Sequence, residues 1–240
     1  MRTRRMIIAA ATGAALVAGL AAPATAGTTT GSTGLGTATV SVPNQTWTSY
    51  DCQHIPVNAT VSGIRGWDVD WDIDLDARRV GNGSTNSSAW LYGNGNSSDR
   101  DSFYLCPFEG SGQYYVTGDV EFLDWDTYSE ASAPLSSSFT MSKMSTTATV
   151  KKIRQPRWGT KVIGTVKARS ATLGSIGARG TVLVKAKKPG KRWVTVDRTS
   201  ANSRGRYVAT TDTKYPKGTK FKAIYRGDQI TERDVSPVRR

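Results

Sequence analysis

The densest chemistry in the sequence lies in ten residues, Trp67-Asp68-Val69-Asp70-Trp71-Asp72-Ile73-Asp74-Leu75-Asp76. A β-strand sends alternate side chains to opposite faces. Trp67, Val69, Trp71, Ile73 and Leu75 would then share one face and five aspartates the other. A carboxylate row suits a hard cation, and calcium is the candidate for an oxygen-only site. Neighbours on one strand face stand about 6.5–7 Å apart, too far to wrap an ion that takes about six to eight oxygens at about 2.4 Å. A metal site on Asp68, Asp70, Asp72, Asp74 and Asp76 therefore needs partners from another strand, for which Glu121, Asp124 and Asp126 are the candidates. The run lacks the glycine turn of an EF-hand loop. The alternative is an inner strand with its tryptophans in a core and its carboxylates in water.

Hydrolytic chemistry has thinner support. Glycosidases place two carboxyls about 5–10 Å apart in a cleft, and Asp124 and Asp126, flanking Trp125, meet that only if both face one. The single histidine, His54, stands beside Cys52 and Pro56 without a nucleophile motif such as GxSxG, and reads as a surface or bridge-packing residue. One histidine and two cysteines exclude a zinc-finger framework and argue against histidine-rich metal sites. The expectation is no enzymatic activity and no cofactor beyond candidate calcium. The rival is a secreted hydrolase or inhibitor acting through Asn- and Gly-rich loops such as 81–88. Trp47, Trp90, Trp125, Tyr92 and Tyr115 offer either a stacking platform for sugar rings or ordinary core and edge packing.

Charge divides the 240 residues sharply. Residues 27–145 hold 14 acidic and 5 basic side chains, whereas 146–240 hold 5 acidic and 24 basic. Both cysteines and five of the seven tryptophans lie in the acidic part. So large a switch marks a domain boundary near 142–145. In the basic part, Lys167 and Arg169, Lys185 and Lys187, and Lys220 and Lys222 alternate with apolar residues. Were their strands neighbours, one sheet would carry a continuous cationic surface that attracts polyanions without reading sequence. Anionic cell-wall polymer is the expected partner, and sequence-specific nucleic acid is not. The alternatives are a merely solvated face, or docking of the basic part on the aspartate row.

These side chains must be positioned by strands. Short β-rich runs separated by Gly, Asn, Ser and Pro clusters recur through both parts, and no helical period appears outside the leader. Residues 1–26 read as a cleaved signal peptide: Arg2, Arg4 and Arg5, an apolar stretch over 7–20, then Ala24-Thr25-Ala26. The apolar stretch is shorter than the roughly 20 residues of a spanning helix, and no transmembrane segment is expected. Export places Cys52 and Cys106 in an oxidising compartment, where they should form one disulfide. Gly27-Thr-Thr-Thr-Gly-Ser-Thr-Gly-Leu-Gly36 reads as a flexible linker.

Gly164-Thr165-Val166, Gly180-Thr181-Val182-Leu183-Val184, Lys191–Val196, Asn202–Tyr207 and Gly218–Asp228 carry a resemblance. Residues 146–240 resemble a bacterial immunoglobulin-like domain of the kind appended to secreted proteins of high-GC Gram-positive bacteria. Gly205-Arg206-Tyr207 matches that family's tyrosine entering a late strand, a candidate tyrosine corner. The acidic part is loosely similar, with Gly112-Gln113-Tyr114-Tyr115-Val116 as a comparable entry. The two strands expected after Cys106 depart from the antibody cysteine pattern. The expected fold is all-β: two immunoglobulin-like β-sandwich domains in tandem, 37–142 and 146–240. The expected function is a secreted, non-enzymatic binding or structural protein of the cell envelope or extracellular space. Its basic domain would associate with anionic polymer, and its acidic domain would carry recognition, with calcium as a candidate aid.

Overall fold

The computed structural model describes residues 26–65 and 68–240; the expected leader, Ala26 aside, and Trp67 lie outside them. The fold is all-β. Residues 27–142 supply β1 (Gly27–Ser32), β2 (Thr37–Val42), β3 (Gln45–Thr46), β4 (Gln53–Ser62), β5 (Val69–Arg79), β6 (Ser87–Asn94), β7 (Ser98–Leu105), β8 (Gly112–Asp124) and β9 (Ser129–Ser142). Residues 146–235 supply β10 (Thr146–Arg154), β11 (Thr160–Ser170), β12 (Gly174–Gly177), β13 (Gly180–Lys187), β14 (Val194–Ala201), β15 (Arg206–Thr211), β16 (Lys220–Tyr225) and β17 (Asp234–Val235). One 3-10 turn, Pro107–Glu109, is the only helical element among the described residues. No described helix is long and apolar enough to cross a membrane.

In the acidic half one sheet runs β1-β2-β4-β7 and the other β3-β9-β8-β5-β6. Alternation dictates which faces meet: Val40, Ile55 and Val57 from one sheet and Ile73, Leu91, Val120 and Phe139 from the other are fully buried. Phe139 stacks on Tyr114 at 5.2 Å and on Phe103 at 6.1 Å, tying the two sheets through aromatic faces. The disulfide Cys52–Cys106 closes the end of the β4/β7 ladder, just beyond the Gln53–Leu105 pair. β8 and β9 follow the second cysteine. In the basic half β11 pairs with β10 along one edge and with both β12 and β15 along the other, and the second sheet runs β14-β13-β16-β17.

The linker expected over 27–36 is corrected, because Gly27–Ser32 pairs along the whole of β2 as β1. Its Gly and Thr content looked like spacer, but Gly31 is buried against Val120, Ala133 and Leu135, where an added Cβ would already be at 3.1–3.2 Å. Glycine here permits close approach rather than flexibility.

Among the described residues every strand ladder stays within one half, and hydrogen bonds around Asp228 join the two. The Asp228 carboxylate organises this joint: Oδ1 accepts from the Ile230 and Thr231 amides and the Thr231 hydroxyl, and Oδ2 accepts from the Tyr50 hydroxyl at 2.9 Å. Tyr50 in turn accepts the Arg179 amide and lies under the Arg179 guanidinium, 5.0 Å from its ring centroid. Met144 exchanges backbone bonds with Ile230 and Glu232. Burial first, and the Asp228 carboxylate besides, pushes the Tyr50 hydroxyl above its ordinary range. The aspartate row named as a docking counter-surface takes no part in these bonds. Asp228→Ala removes a charged acceptor of four hydrogen bonds and should lower stability by about 2–4 kcal/mol in denaturant titration. A loss below about 0.5 kcal/mol, ordinary for a surface substitution, would contradict this role.

Candidate functional site

The acidic row sits where alternation requires. Val69, Trp71, Ile73 and Leu75 are buried on the inner face of β5, and Asp70, Asp72, Asp74 and Asp76 project from the outer face. Asp68 precedes the strand, its carbonyl accepting the Trp125 amide. The register puts Asp72 directly opposite Glu121 and Asp74 directly opposite Asp119 on β8. Like charges in such positions are destabilising, and the only ion pair among the described residues is Arg78–Asp76.

Several of the expected metal ligands already have other partners. Asp76 accepts from Ser88, Thr85 and Arg78. Asp124 closes the β8–β9 turn, accepting from the Asp126 and Thr127 amides and the Thr127 hydroxyl. Asp70 accepts the Trp125 indole N–H at 2.6 Å. Asp126 lies exposed in that same turn. Among the described residues no three His, Cys, Asp or Glu side chains gather as a metal would need.

Aromatic side chains flank the row. Asp74 faces Trp90 and Asp72 faces Tyr92 across the β5/β6 ladder. Trp90 is 58% exposed and Tyr92 62%, and their rings lie 5.1 Å apart at 31°. Trp125 and Tyr128 form a second exposed pair at the β8–β9 turn, and Tyr115 is exposed further along β8. Trp47, the remaining platform candidate, is fully buried and belongs to the core. Between β6, β5, β8 and β9 opens a groove of about 820 Å³ lined by Asp70, Asp72, Trp90, Tyr92, Glu121 and Glu130 among others. Beneath it, Gly93 leaves room for the Trp71 indole, since a Cβ there would lie 2.5 Å from the ring.

Sequence reasoning missed what holds the platform. β6 is an edge strand paired only with β5, which leaves amides on its other side open. The Asp101 carboxylate accepts the Trp90 amide at 2.8 Å and the Asp99 carboxylate accepts the Tyr92 amide at 3.1 Å. Both aspartates come from β7, so the aromatic pair is braced from the opposite sheet. Their i, i+2 spacing was the available signal, but nothing in the sequence gives the β6–β7 approach.

Two aspartates of the row titrate in opposite directions. Burial, and then the Asp74 carboxylate, pushes Asp72 above its ordinary range. Folding thus favours its neutral form, a contribution present below the unfolded carboxylate range and lost as pH rises through the raised value. The Ser88 hydroxyl foremost, with Arg78 and Thr85, holds Asp76 below its ordinary range. That contribution is present above the unfolded range and lost as pH falls through the lowered value. Asp72→Asn should therefore raise the melting temperature at neutral pH and lose its advantage in acid, whereas Asp76→Asn should lower it at neutral pH. Melting curves of both variants across pH check the two signs.

The cationic residues are divided differently from expectation. Lys185 pairs directly with Lys222, and Lys187 with Lys220, across the β13/β16 ladder. These four share the outer face, alternating with buried Val184, Ala186, Phe221 and Ala223. Lys167 and Arg169 lie on β11, in the other sheet, which corrects the single continuous surface. Alternation identifies a face but not the neighbouring strand. Lys222 stands 4.6 Å over the Trp193 ring, and no described carboxylate makes an ion pair with any of the four. Lys167 bonds instead to the Arg204 carbonyl.

His54 is exposed on β4, its Nδ1 2.8 Å from the Ser102 hydroxyl and its ring 4.9 Å from Tyr104. Among the described residues no carboxylate hydrogen-bonds this histidine. The two expected tyrosine entries differ in what their hydroxyls reach. The buried Tyr114 hydroxyl donates to the Gly110 carbonyl four residues upstream, whereas Tyr207 reaches across the β10/β11 ladder to the Thr149 carbonyl.

No family model matches the chain, and no curated protein matches its sequence. By structure, 34 solved chains match. One, a BSP domain of a biofilm-associated protein, is 11% identical with a TM-score of 0.27, aligning over 82% of this chain and 28% of its own. The chain thus spans little more than a quarter of that protein, a similarity too shallow to bear on function.

Proposed function

We propose that this is a non-catalytic binding protein that works outside the cell and holds anionic wall glycopolymer on the outer face of the β13/β16 sheet. The observation that carries the reading is the quartet Lys185, Lys187, Lys220 and Lys222, paired side by side without a described counter-ion. Neighbouring strands stand about 4.8 Å apart and same-face residues about 6.5–7 Å. Both spacings lie within the Debye length of about 8 Å at physiological salt, so the four ammoniums act as one field. Such a field favours a flexible polyanion and reads no sequence.

The disulfide supports an oxidising location. The resemblance of residues 146–240 to immunoglobulin-like modules of secreted bacterial proteins fits an adhesive unit attached to the acidic half. Asp124, committed to its turn, favours binding over a hydrolysis that would use it as acid or base. The test is retention of the full chain on purified cell walls. Walls bearing teichoic acid should hold it at low salt and release it as salt rises, and stripped walls should not hold it. Equal retention on both would contradict the reading.

A further inference from the structure

We propose that the groove over β6, β5 and β8 binds a carbohydrate carrying free amines, a polymer or oligomer of amino sugar in its cationic form. The inference is independent of the lysine face and concerns the other half of the chain.

Two observations of different kinds meet in this groove. The first is aromatic: Trp90 and Tyr92 stand side by side, more than half exposed, with ring centroids 5.1 Å apart. Exposed ring faces offer apolar area to the C–H face of a pyranose and a negative quadrupole to a cation. Two rings in a row present a strip for successive sugars rather than a cage around a single ammonium.

The second is electrostatic. Asp72 and Glu121, directly opposed, line the groove with Asp70 and Glu130, and Asp74 opposes Asp119 at its continuation. No described cation forms an ion pair with these carboxylates. A distributed ligand cation would relieve that repulsion. Calcium fits less well, because it needs about six to eight converging oxygens and no three of these groups gather.

A basic peptide is the competing occupant, and the sheet edge argues against it. Peptides commonly dock on a sheet by adding a strand, but the Trp90 and Tyr92 amides on the β6 edge are already bonded to Asp101 and Asp99. A ligand must therefore lie on the face, over the rings and along the carboxylates, and an amine-bearing glycan has the chemistry for both.

The test titrates the full chain with glucosamine oligomers, their N-acetylated counterparts and oligolysine, following tryptophan fluorescence and heat. Glucosamine oligomers should bind, and N-acetylation, which removes the charge and keeps the ring, should weaken binding about tenfold or more. Trp90→Ala with Tyr92→Ala should cost a similar factor. Glu121→Gln, at an exposed position that should leave the fold intact, should weaken binding and flatten its salt dependence. Glutamine at the four lysines of β13 and β16 should leave binding unchanged. Equal binding of both oligosaccharides would overturn the cationic specificity. Binding of oligolysine alone, insensitive to the loss of Trp90 and Tyr92, would assign the groove to basic peptide. No binding of any probe would overturn the proposal outright.

Discussion

Replacing Lys185, Lys187, Lys220 and Lys222 together with glutamine is expected to abolish retention on anionic glycopolymer at physiological salt. Each cation contacting a flexible polyanion releases about 0.7 counterion, so four contacts give the salt dependence of log affinity a slope of about −3. The quadruple variant should lose most of that slope. Changing Lys167 and Arg169 to glutamine should leave most of the retention, because β11 belongs to the other sheet. The β13/β16 lysines alternate with core residues but face outward, and relieving the Lys185–Lys222 and Lys187–Lys220 repulsions should leave stability unchanged or slightly raised. Denaturant titration of the variant therefore separates lost binding from lost folding. Equal losses from the two sets of substitutions would show that overall charge, not this face, governs association.

Removing the disulfide should produce the largest stability effect. Cys52 and Cys106 are 54 positions apart, and a closed loop of that size is worth about 4 kcal/mol in the chain-entropy model. In the Cys52→Ala/Cys106→Ala variant the loss should concentrate in the acidic half. Amides of β4 and β7, whose ladder ends at the bridge, should exchange faster with solvent, and those of β13 and β16 should change little. The Asp228–Tyr50 joint transmits only part of the effect, since no strand ladder crosses it. Equal acceleration in both halves would contradict a division near residues 142–146.

The sequence made strand faces legible and strand neighbours illegible. Period-two alternation in 69–76 identified the buried and exposed sides of β5 because hydrophobic burial acts on each residue separately. The bounds of β2, β13, β15 and β16 were readable for the same reason, with turn glycines such as Gly190 and Gly205 taking left-handed backbone between strands. Sheet order depends on pairing between distant segments, which local pattern does not encode. Hence Lys167 appeared to share a surface with Lys185, and the aspartate row appeared available for docking. The aromatic candidates divided for a related reason: Trp47 and Trp90 look alike in sequence, and only the second sheet decides that one is enclosed. The bracing of Trp90 and Tyr92 by Asp101 and Asp99 joins two sheets through side chains and leaves no periodic trace. β1 was hidden because Gly31 serves close packing in a stretch whose composition resembles a linker.

The central claim is best tested by lysine acylation footprinting of the full chain with and without purified anionic glycopolymer. Lys185, Lys187, Lys220 and Lys222 should be protected together, with protection lost on adding salt, while Lys167 remains reactive. Protection of Lys167 with the β13/β16 lysines left open, or uniform protection of all lysines, would contradict the assignment of that sheet as the polymer-binding face.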